Sequence, residues 1–178
     1  MTSTTHPAAR PSAVPAPLTR GVVRARGELV LLHRRALSAT GDVVDRALTY
    51  GADDPRVVEL VRSATLANLV AAEYLGRWSM PGPTEPTVGE RFHRSAALVD
   101  EAMCQPGALD ANVPLASGRV GDGAALLAER IVALDRAGRA LASAASVHRT
   151  VDAELDLVVS RLVARIVSGS RPVLLVAA

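Results

Sequence analysis

His148 and Asp152 stand four residues apart, in a stretch where apolar residues recur every three or four positions. On one unbroken helix that spacing puts both side chains on the same face, one turn apart. A buried imidazole beside a carboxylate is a general base with its orienting acid, or half of a metal site. The acid would raise the imidazole pKa. His148 and Asp152 are therefore the catalytic candidates. Two plainer roles fit the same residues: a polar pair that fixes register between helices, or two solvated side chains at a break in the helix.

Glu90 and His93 form a Glu-x-x-His on a second helical stretch. Ferritin-like di-metal proteins use that spacing, but twice, with two further carboxylates. Here it occurs once, with Glu28 and Glu73 as the further carboxylates on offer and no second Glu-x-x-His. Glu90 is also the last residue of Thr87-Val88-Gly89-Glu90, which reads as a capping box. No metal site is expected. Asn68 falls in the apolar stripe of its helix, with Glu73 beside it. A seam asparagine sets register, or it hydrogen-bonds a ligand inside a helical bundle. Asn68, Glu73, Glu90 and His93 are the ligand-binding candidates. His33, flanked by Leu32, Arg34 and Arg35, reads as part of a polar face.

Composition removes several chemistries. All twenty basic side chains are Arg, so neither a Schiff base on a lysine nor a P-loop lysine is available. Cys104 is the single cysteine, which excludes an intramolecular disulfide, and no nucleophile signature surrounds it. The net charge is +2, with Arg and acids interleaved, as at Arg24, Arg26 and Glu28 or at Glu129 and Arg130. That is a mixed-charge helix surface, not a track for phosphates, so nucleic acid is not expected as a partner. No apolar run approaches the roughly 20 residues of a membrane span. The first residues lack the pattern of a secretory leader, and the cytoplasm is the expected location. No glycine-rich phosphate loop occurs, and no cofactor is expected. Gly118, Gly121 and Gly123 precede a helix, where an anion can sit on free N–H groups or a loop can simply turn.

The elements that must carry these residues are helical. Apolar residues make up 49% of the chain and aromatics 2%, so the core is built from Ala, Val and Leu, which suits close helix packing better than strands. Residues 1–18 read as a disordered Pro- and Ala-rich arm, a solvated tail or a tether for a protein partner. A first helix is predicted from about Thr19 to Tyr50, on the stripe Val22, Ala25, Leu29, Leu32, Ala36, Ala39, Val43, Ala47 and Tyr50, with a kink or restart at Gly41-Asp42. Asp54 caps a second helix and Pro55 opens it, with Val57, Val61, Ala64, Ala71, Leu75 and Trp78 on one stripe. Met80-Pro81-Gly82-Pro83 ends it. Val88, Phe92, Ala96, Val99 and Met103 mark a third helix, stopped at Pro106-Gly107. Residues 108–118 read as an irregular loop. From Leu127 to Ile166 apolar or small residues alternate by four and three. This is either one rod of about 45 residues, roughly 65 Å long, or two helices broken near Val147–Thr150, the second capped by Ser146 or Thr150.

The sum is an all-α chain: an antiparallel bundle of four or five helices over residues 19–170, with a long heptad-patterned C-terminal helix and a short apolar tail at 171–178. The small-residue seam (Ala36, Ala64, Gly138, Ala145) favours a homo-oligomer. Helix 1, with Arg24, Arg34, Arg35 and Arg46, followed by Asp54-Pro55-Arg56, looks loosely similar to the secreted helical chorismate mutases. That resemblance, over about a third of the chain, implies a cofactor-free enzyme in a helical bundle. The family relies on a catalytic Lys, and this chain has none. The expected function is a non-catalytic scaffold, adaptor or regulator acting through protein contacts and self-association. The alternative is a small enzyme or ligand-binding protein with its pocket inside the bundle.

Overall fold

A computed structural model of the chain describes residues 20–76 and 87–167. They form five α-helices: α1 (Arg20–Gly51), α2 (Pro55–Gly76), α3 (Val88–Met103), α4 (Gly123–Ala144) and α5 (Ala153–Val167). The Pro-rich arm, Trp78, the Met80-Pro81-Gly82-Pro83 linker and the apolar tail lie outside the described residues. Among the described residues no helix is long and apolar enough to cross a membrane.

α1 runs unbroken through Gly41-Asp42, so no second helix restarts there. Gly41 is buried, and a Cβ built on it would stand 3.4 Å from the His93 ring, so the glycine marks a close approach to α3. The buried stripe of α1 is Leu29, His33, Ala36, Leu37, Thr40, Val43, Val44 and Ala47. Against the expected stripe, Tyr50 is exposed, Ala25, Leu32 and Ala39 are only half-buried, and His33 is fully buried. The start of α2 is as read, with Asp54 Oδ1 accepting from Arg56 N at 2.8 Å and Pro55 opening the helix. The α3 capping box is complete. Thr87 Oγ1 accepts from Glu90 N at 3.1 Å, and Glu90 Oε2 accepts from Thr87 N at 3.1 Å.

Residues 108–122 are more ordered than the irregular loop expected. A 3₁₀ turn (Ala108–Asp110) leads into β1 (Asn112–Pro114), which pairs antiparallel with β2 (Val120–Asp122) in the register Val113↔Gly121. Asp122 then caps α4, its Oδ1 accepting from Ala125 N at 2.8 Å. The glycine cluster before this helix therefore faces a carboxylate of the chain itself.

The long C-terminal pattern resolves into two helices. α4 ends in a Schellman motif: Val147 N donates to Ala142 O at 3.0 Å, Ser146 N donates to Ser143 O at 3.4 Å, and Ser146 takes φ +53°. Val147 packs against the apolar residues beside α4, which anchors the turn. The cap of α5 is Asp152, not Ser146 or Thr150, with Oδ1 accepting from Leu155 N at 3.0 Å. The apolar stripe persists across the break because both helices bury one: Leu127, Ile131, Leu134 and Leu141 on α4, and Leu155, Val159 and Leu162 on α5. Ion pairs hold α5 in place. Arg35 of α1 binds Asp152 and Glu154 at 2.7 and 2.8 Å, and Arg149 joins the buried Asp135 to Asp156.

α2 packs on α3 and α1 on α4, and α2 meets α4 across the middle. The interior divides into two apolar clusters. One gathers Leu29, Leu75, Val99, Leu127 and Ile131 with the buried face of α5; the other gathers Val43, Val57, Val61, Phe92 and Leu141. Gly123 fixes how closely α4 approaches the 3₁₀ turn: a Cβ there would lie 2.1 Å from Ala108 O and 2.9 Å from Leu109 Cα. Backbone must move to admit it, so Gly123→Ala is expected to cost about 1–3 kcal/mol in chemical denaturation. A loss within about 0.5 kcal/mol, the usual size of a neutral surface change, would show that the contact is not tight.

Candidate functional site

Of the helices, α4 is buried most evenly around its circumference, because it touches α1, α2, α5 and the β1–β2 ribbon. Arg130 sits on it between Leu127 and Leu134 and is only 7% exposed. Three further polar side chains meet this interior from the other helices. His33 (α1), Asn68 (α2) and Ser95 (α3) are each 0% exposed. Along α2 and α3, Asn68 and Ser95 fall between the residues of the two apolar clusters, so they mark the boundary between them.

The bonding is a short chain. Arg130 Nη2 donates to Asn68 Oδ1, Asn68 Nδ2 donates to Ser95 Oγ at 3.0 Å, and Ser95 Oγ donates to Phe92 O at 2.7 Å. Among the described residues five buried side-chain nitrogens find no hydrogen-bond partner: Nδ1 and Nε2 of His33, Nε of Arg130, and, on α1, Nε and Nη2 of Arg46. Buried polar atoms are nearly always paired, so each of these is an exception; those of His33 and Arg130 belong to two side chains that act on each other electrostatically. No carboxylate among the described residues forms an ion pair with Arg130.

The electrostatics follow. Burial lowers the Arg130 pKa to about 10, since the charged form loses its hydration. The His33 pKa falls to about 3, first through burial and then through the positive charge of Arg130. Arg34 adds to the fall and Asp100 opposes it. At neutral pH His33 is a neutral imidazole, offering one N–H donor and one lone pair. The site thus holds one positive charge with no counter-charge among the described residues.

The residues singled out from sequence are placed differently. Asn68 alone lies in the cluster. Glu73 is exposed on α2. Glu90 is consumed by its capping box, and His93 is exposed with Nε2 2.7 Å from Asp45 Oδ1. His148 and Asp152 do not share a helical face. Both lie in the link between α4 and α5, His148 is exposed, and Asp152 caps α5 and binds Arg35. The Asp152 pKa is accordingly lowered, by the Leu155 N–H first and Arg35 second. Three of the four α1 arginines singled out are held in ion pairs: Arg24 binds Glu28, Arg34 binds Asp100, and Arg35 binds Asp152 and Glu154, while Nε and Nη2 of Arg46 are buried with no hydrogen-bond partner among the described residues. No group of three His, Cys, Asp or Glu among the described residues is arranged to hold a metal ion.

Sequence reasoning missed His33, Ser95 and Arg130. One signal was present: His33 is four residues after Leu29 and three before Ala36, squarely within the α1 stripe. No protein-family model matches the chain, and comparison with curated proteins and with solved structures finds no match.

The depressed His33 pKa makes folding pH-dependent. The unfolded chain takes up a proton near pH 6.5 and the folded chain does not until about 3. His33 therefore leaves stability intact above pH 6.5 and removes it as pH falls, by about 1.4 kcal/mol per unit. Denaturation midpoints measured between pH 6.5 and 5, where carboxylates stay ionised, should show this slope. His33→Leu should flatten it and be no less stable at pH 7.5. A wild-type profile already flat between pH 6.5 and 5 would contradict the buried neutral histidine.

Proposed function

We propose that this chain is a helical-bundle protein that binds a small polar molecule at the centre of the bundle, among His33, Asn68, Ser95 and Arg130, and does not transform it. The observation that carries this reading is the pair of fully buried His33 nitrogens beside a buried, unpaired Arg130 nitrogen. Leaving such groups unmatched costs about 1–3 kcal/mol each, more for a charged one. Convergent polar groups within an otherwise apolar interior are what a ligand site supplies. Binding is favoured over catalysis because an imidazole with a pKa near 3 is a poor general base at neutral pH. No hydroxyl in the cluster is activated either: the Ser95 proton is committed to the Phe92 carbonyl.

A second reading, a self-associating scaffold acting through protein contacts, is supported by Leu31, Leu66 and Leu157, each more than half exposed. The two readings are compatible, since a bundle that binds a ligand at its centre and a partner at its surface is a regulator.

The side-chain N–H signals of Asn68 and Arg130 give a direct test. A panel of small acids, amides and alcohols, added at millimolar concentration, should include members that shift both signals and raise the melting temperature. The response should vanish in Arg130→Met and weaken in His33→Leu. Ligands that raise the melting temperature equally in wild type and both variants, with no movement of either signal, would overturn the reading.

A further inference from the structure

The surplus around Arg130 has a definite sign and number. One positive charge without a counter-charge among the described residues lies in the interior, and its Nε–H has no acceptor among them. Asn68 and Ser95 are engaged with each other and with Arg130 Nη2 and Phe92 O. Asp100, which acts on His33 through space, is committed to Arg34 by two hydrogen bonds. Neutral His33 adds one further N–H.

We propose, resting on the ligand-binding reading, that the cluster takes a short aliphatic monocarboxylate, whose oxygens accept from Arg130 Nε–H and from the His33 ring N–H. The charge count selects a monoanion. A neutral ligand leaves +1 in a medium of low dielectric, and a dianion leaves −1. The shape of the donor selects a carboxylate over a spherical ion, because a guanidinium edge presents planar, directional N–H groups that two oxygens can meet. The flanks select an aliphatic tail. Leu29 and Leu37 lie one turn either side of His33, Leu127 and Leu134 one turn either side of Arg130, and all four are buried. No covalent step is involved.

The test compares sodium butyrate with butyramide, succinate and chloride, read by the Arg130 Nε–H and His33 ring signals of the full chain. Butyrate should half-saturate at a concentration about tenfold or more below each of the other three, the usual worth of a charge-assisted pair. Arg130→Met should abolish the response. Should that variant fail to fold, Arg130→Lys, which keeps the charge without the planar fork, should weaken it several-fold. Butyramide binding as tightly as butyrate would overturn the anion while leaving the ligand site standing. Chloride or succinate matching butyrate would overturn the monocarboxylate in the same way. No movement of either signal with any of the four overturns this inference, and the ligand-binding reading then falls only if the broader panel is silent too.

Discussion

Burial of the Arg130 side chain, on a helix whose Leu127, Ile131 and Leu134 are also buried, is the constraint on which the rest of the interior depends. Moving a cation from water into such surroundings costs several kcal/mol unless partners replace its hydration. Asn68 supplies one acceptor, and Ser95 fixes the Asn68 amide by accepting from it. His33 stays neutral partly because Arg130 is there. Each helix from α1 to α4 thus contributes one buried polar group: Arg130, Asn68 and Ser95 are joined by hydrogen bonds, and His33 is coupled to Arg130 through its charge.

The remainder of the molecule protects that arrangement. Apolar clusters lie to both sides of the Asn68–Ser95 boundary. α5 packs on α1 and α4 and is held by ion pairs: Arg35 with Asp152 and Glu154, and Arg149 with Asp135 and Asp156. Exposed ion pairs contribute little individually. Asp135 differs, because its side chain is buried at 4% exposure and two arginines, Arg139 and Arg149, reach it. It ties the α4–α5 link back onto α4. The contrast with Arg130 is instructive. On the same helix one buried charge is doubly paired and structural, and the other has no counter-charge among the described residues.

Much of the fold was legible in the sequence. Asp54-Pro55 and the Thr87–Glu90 box declare helix starts through local hydrogen bonds, which need no tertiary information. The stripes on α2 and α3 follow from helical periodicity. What was not legible depends on which neighbours a helix meets. Arg130 follows Glu129 and looks like one more member of a mixed-charge surface; only the central position of α4 turns it inward. His33 stands beside Leu32 and two arginines, and shifting the stripe by one position exposes it. His148 and Asp152 keep the heptad spacing, yet Ser146 in the left-handed region ends α4 before the pattern reaches them.

The central claim is that His33 is a neutral, buried imidazole beside an uncompensated Arg130. Nitrogen-15 spectra of its ring at pH 5 test it most directly, at a pH where an ordinary histidine is mostly protonated. The account predicts two well-separated ring nitrogen shifts for His33, one protonated and one bare, unchanged from pH 7. A His33 ring at pH 5 with both nitrogens protonated would contradict it, because an imidazolium cannot persist there unless a carboxylate faces it or Arg130 points elsewhere.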